Sequence, residues 1–141
     1  MTLISSIGPS LARFYRFRWS FSILLLLAFD FCTWMAFRES GGRAMFPHQD
    51  KVMHCLAFMG LFTLGHLSLH FDFFPKRKPG PWLQLCHWTI WLGYGLFIEM
   101  VQRLIDYRSA SLGDFLADVV GICLGAALVT GLRLHPRSGK Q

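Results

Sequence analysis

Seven polar or ionisable side chains fall within twenty residues of this chain, in the run EMVQRLIDYRSASLGDFLADVVG over residues 99–121. They are Glu99, Gln102, Arg103, Asp106, Arg108, Asp114 and Asp118, and the run joins two strongly apolar stretches. A further set, Asp50, Lys51 and His54, stands at the start of another apolar stretch, and Asp30 lies within a fourth. The chemistry these types offer is specific. Arg108 can clamp a phosphate or carboxylate through two parallel N–H bonds, with Lys51 as a second point charge. Glu99, His54 and Asp114 can exchange protons with a bound group if burial brings them towards neutrality, and they are the candidate catalytic residues. Asp50, Gln102, Arg108, Ser111, Asp118 and Lys51 are the candidate ligand-binding residues. A P-loop, a nucleophile elbow and an HExxH pair are all lacking, so the sequence names no reaction and leaves enzymatic activity open. No cofactor is expected.

His66 and His70, at i, i+4, and His87 raise the question of zinc. Structural zinc sites usually take four ligands with thiolate or carboxylate support. Amphipathic histidines at a membrane interface are the simpler reading, so no metal site is assigned.

The elements that must position these groups follow from composition. Of 141 residues, 53% are hydrophobic and 16% charged, with a mean hydropathy of +0.40. Soluble domains carry nearer a quarter charged residues. Four segments approach the roughly 20 apolar residues that a bilayer requires: about 19–37, 52–71, 82–101 and 112–132. The expected fold is an all-α membrane protein, a four-transmembrane-helix bundle forming a single membrane domain over 1–141. The first span is longer than a secretory h-region and lacks a clean small-x-small site after it, so an uncleaved anchor is expected. Cys32, Cys55, Cys86 and Cys123 all lie inside apolar segments, where cysteine acts as a small hydrophobe and suggests neither disulfides nor a metal knuckle.

Basic residues give the expected orientation. Arg13, Arg16, Arg18, Lys76, Arg77, Lys78, Arg133, Arg137 and Lys140 fall on one side, against Arg38, Arg43, Lys51, Arg103 and Arg108 on the other. The richer side is expected to be cytoplasmic, which puts both termini inside and the 38–51 and 102–111 loops outside. The net charge of +6 is therefore read as topology signal and anionic-lipid attraction, not as a nucleic-acid surface.

On that frame the polar groups of all four spans collect at the outer face. Glu99, Gln102 and Asp106 share a helical face, as do Asp50 and His54. Asp114, Asp118, Gly121 and Gly125 form one stripe, acidic outside and a GxxxG pair deeper in, which admits a neighbouring backbone. Ionisable groups near hydrocarbon persist where they are paired, hydrated or used. An outward-facing polar pocket is the expectation.

The order Asp50-Lys51-x-x-His54, Glu99-x-x-Gln102, Arg108-x-x-Ser111-x-x-Asp114-x-x-x-Asp118-x-x-Gly121 resembles the VanZ-like family of small bacterial membrane proteins. The likeness covers about 50–130. The family pattern usually has asparagine where this chain has Asp118, so a carboxylate replaces an amide donor there. The resemblance implies a multi-pass protein of the bacterial cytoplasmic (inner) membrane. It implies a family-level link to the cell envelope, glycopeptide stress and antibiotic resistance. The site would bind or process an anionic envelope or lipid-linked ligand, with membrane lipid or another membrane protein as partner. The alternative is a non-catalytic scaffold whose charges only pin the outer loops.

Overall fold

Among the described residues, hydrophobic runs broken by Pro, Gly and charged residues fold into four helices. The structure, a computed structural model, describes residues 19–39, 45–74, 79–106 and 111–132. Helix α1 spans Ser20–Phe37, α2 Gln49–Leu67, α3 Pro81–Gln102 and α4 Leu112–Gly131. A π-helical turn, Ser68–Phe73, continues α2. The described residues contain no strand. All four expected spans are found as helices, with ends within a few residues of the predicted ones. Pro81 sits in the first turn of α3, where its missing N–H is no loss. Ser111 caps α4 by accepting the Asp114 N–H at 3.2 Å.

Three helices are long and apolar enough to cross a membrane: α1, α2 together with its π turn, and α4. Helix α3 has 22 residues but carries Gln84, His87, Glu99 and Gln102, and its three tryptophans add little hydropathy. His87, Glu99 and Gln102 are buried against the other helices.

The packing is closest between α2 and α4. A Cβ built at Gly121 would collide with the Cys55 carbonyl oxygen, and one at Gly125 would stand 2.9 Å from that of Met59. The expected GxxxG stripe thus receives the α2 backbone. Around this pair, Phe58, Leu61, Phe62, Trp91, Ile98 and Ile122 form the core. Helix α1 has no fully buried residue and attaches at three levels. Ser22 N–H donates to Asp72 Oδ2 at 2.7 Å, Thr33 Oγ1 and Tyr94 Oη share a hydrogen bond of 2.6 Å, and Gln102 Nε2 donates to the Ala36 carbonyl at 2.8 Å.

The outside of the bundle is apolar. Leu112, Leu116, Val120, Leu124 and Leu128 form an exposed i, i+4 stripe on α4, and Ile23, Leu24 and Leu27 stand out from α1. Thr33, Thr63, Thr89 and Thr130 return their hydroxyls to the carbonyl four residues back, which satisfies them without water.

Candidate functional site

Where α2 and α4 begin and α3 ends, the helices bring six of the predicted residues into one group. Ser111 Oγ, besides capping α4, donates to Asp114 Oδ2 at 2.7 Å. Asp114 Oδ1 pairs with Lys51 Nζ at 2.8 Å, and Lys51 also reaches Ser111 Oγ at 3.3 Å. Asp114 is 2% exposed, whereas the Lys51 side chain is 41% exposed, so the described part of the cluster meets the surface at Lys51.

One turn further along α4, Asp118 Oδ1 lies 2.8 Å from His54 Nδ1. Asp118 is packed against Gly95 of α3, where an added Cβ would stand 2.9 Å from Asp118 Oδ2. Gly95 therefore lets the carboxylate lie flat on α3. One turn along α3, Glu99 completes the group at 5% exposure. Among the described residues, neither Glu99 oxygen has a hydrogen-bond partner, nor does Asp118 Oδ2. The Ser111 backbone N–H is turned towards Glu99. Donor atoms of His54, Glu99 and Asp118 all lie within 4.8 Å of one another.

Several expectations require correction. Asp30 is exposed and lines a surface groove of about 440 Å³ with Phe29, Thr33, Trp34, Phe37 and Arg38, on α1 alone. Its position on the outer face of a peripheral helix keeps it out of the cluster. Asp50 is exposed on the first turn of α2, and Lys51 pairs with Asp114, not with Asp50. Helix α3 stops at Gln102, so Asp106 lies beyond it in an exposed turn and does not extend the Glu99 face. Gln102 is buried and ties α3 to α1 through Ala36. Arg108, Arg43 and the basic residues of 13–18, 76–78 and 133–140 lie outside the described residues.

At the opposite end the histidines are not interfacial. His66, His70 and His87 are 4%, 2% and 8% exposed, and the His66 and His70 rings stack at 4.1 Å between centroids. His70 and Asp72 lie in the π turn, whose wider winding changes the helical phase and turns them inward, while His66 precedes it in α2 and His87 faces the bundle from α3. His70 Nε2 lies 3.2 Å from Gln84 Nε2, while Asp72 also accepts the Ser22 hydroxyl at 2.7 Å. Asp72, Ser22 and Gln84 were not singled out from the sequence, because a regular 3.6-residue period places Asp72 past the span.

The arrangement at the Lys51 end combines a fixed ion pair, an acid–imidazole pair and a free carboxylate. It can hold a cation, accept or give protons at Glu99 and His54, and offer Lys51 to an anion. No protein-family model, curated protein or solved structure matches this chain.

Proposed function

We propose that this chain is a small multi-pass protein of the bacterial cytoplasmic membrane. In this reading all four helices cross the bilayer, both termini are cytoplasmic, and the Lys51 end of the bundle is a site for the anionic head group of a cell-envelope or lipid-linked amphiphile. The observation that carries the reading is the gathering of Lys51–Asp114–Ser111 and His54–Asp118–Glu99, with all three carboxylates buried, at one end of a bundle whose outer surface is apolar. Polar groups inside a membrane protein are costly and are kept where they are used. Helix α3 can cross despite its composition because its buried polar side chains face other helices. The spacing shared with the VanZ-like family supports an envelope role, with the head group meeting Lys51 and Arg108 and the acyl chain lying along α4. Glu99, His54 and Asp114 are then placed to bind or process that head group.

A scaffolding role is the competing reading, favoured by the way Lys51–Asp114 joins α2 to α4. Mass spectrometry of lipids retained by the gently purified protein separates the two. The parent should retain an anionic amphiphile that Lys51→Gln/Arg108→Gln loses by about tenfold, at equal protein yield. Identical lipid profiles, or a yield that falls in step with the lipid, would leave only the scaffold.

A further inference from the structure

We propose that His54, Glu99 and Asp118 hold a divalent metal ion at the Lys51 end of the bundle. One ligand comes from each of α2, α3 and α4, and the donor atoms lie within 4.8 Å of one another. Two donors on opposite sides of one zinc-sized ion stand about 4.2 Å apart, from bonds of about 2.0–2.2 Å. The three side chains are therefore near enough to one another to ligate one ion.

The free atoms supply an independent observation. Glu99 has two buried oxygens and Asp118 one that no group among the described residues satisfies. Buried carboxylates without partners are disfavoured, and a metal ion is one of the few groups that satisfies several at once. The Lys51 ammonium is committed elsewhere, held by Asp114 and Ser111. Two carboxylates and a neutral imidazole carry two negative charges, which a divalent ion balances.

One nitrogen and two carboxylate donors suit zinc, manganese or ferrous iron, and a three-ligand set leaves coordination positions for water or a bound anion. The ion deepens the reading above and rests on it only for the identity of what fills those positions. Among the described residues Glu99, Asp114 and Asp118 outnumber Lys51, and a bound divalent ion would give a phosphate or carboxylate oxygen a further partner beside Lys51.

The test uses full-length protein carrying no polyhistidine tag, purified in detergent and assayed for metal by inductively coupled plasma mass spectrometry. After chelation it is titrated with Zn²⁺ and Mn²⁺ while its melting midpoint is followed. The parent should carry about one equivalent of metal, or regain it with a saturable rise in midpoint. Glu99→Gln and Asp118→Asn should weaken apparent affinity at least tenfold at unchanged helix content. Should either variant fail to fold, pulsed electron paramagnetic resonance of Mn²⁺ on the parent decides the matter, since His54 must give an imidazole nitrogen coupling. A parent that neither retains nor responds to either ion, a Mn²⁺ signal without nitrogen coupling, or Glu99→Gln that binds metal as tightly as the parent would each overturn the proposal. The last outcome would move the ion to the His66–His70–His87 end. Loss of the retained lipid with metal unchanged would sink only the head-group reading.

Discussion

Ser111 touches every part of the ion pair beside it. Its hydroxyl accepts the Asp114 N–H and the Lys51 ammonium and donates to Asp114 Oδ2. Because it is also the N-cap of α4, it fixes the rotamer of the Asp114 carboxylate while satisfying one of the orphan N–H groups of the first turn. Asp114 itself sits in that turn, where the positive end of the helix favours a carboxylate. Ser111→Ala should destabilise the protein by about 1 kcal/mol, the usual size of a lost cap, while Ser111→Thr, which keeps the oxygen, should cost well under half of that. Unfolding in mixed micelles monitored by circular dichroism would show the difference. Equal losses for the two variants would mean that the hydroxyl neither caps the helix nor orients Asp114. The residue types of this cluster were legible in the sequence, since Lys51, His54, Glu99, Ser111, Asp114 and Asp118 recur at helical spacing next to apolar runs. Their pairing was not, because Lys51 could meet Asp50 on its own helix or Asp114 on another, and only the approach of α2 to α4 decides.

That approach is a property of the elements. Gly121 and Gly125 present no side chain to α2, so the two backbones approach closely and carry Lys51 and His54 within reach of Asp114 and Asp118. Gly121→Leu would drive a branched side chain into the Cys55 carbonyl and force α2 and α4 apart, with an overpacking cost of about 1–3 kcal/mol. The same substitution at Gly131, where a Cβ meets nothing within 4 Å, should be close to neutral. A comparison of melting midpoints in detergent reads both, and a harmless Gly121→Leu would contradict the close crossing. The small-residue stripe could be read from the sequence because its period is that of an ordinary α-helix. The other end of α2 could not: the π turn breaks the period over Ser68–Phe73, so His70, which looks interfacial on a regular wheel, is buried, and Asp72 becomes the anchor for Ser22 of α1. A local change in winding thus attaches the peripheral helix to the bundle.

At the scale of the molecule the described residues form two buried polar clusters, one at each end of the bundle, separated by the apolar layer of Phe58, Leu61, Phe62, Trp91 and Ile122. That layer is what a bilayer-spanning bundle needs at its centre. It also makes the orientation a question with a physical answer, because only one cluster can face outward. Helix α3 decides both the orientation and the number of crossings. Trp82 near its start is 74% exposed and Leu104 just past its end is 84% exposed, so cysteines at these positions are reachable without disturbing the core. In a background with Cys32, Cys55, Cys86 and Cys123 replaced by alanine, a membrane-impermeant maleimide applied to spheroplasts should label Leu104→Cys at once and Trp82→Cys only after permeabilisation. Its 22 residues at a rise of about 1.5 Å each reach about 33 Å, enough for a hydrocarbon core of about 30 Å. The reverse pattern would place the Lys51 cluster on the cytosolic side, away from any envelope ligand. Labelling of both positions from the same side would mean that α3 does not cross, and that its buried Glu99 and His87 are held by the three more apolar helices alone.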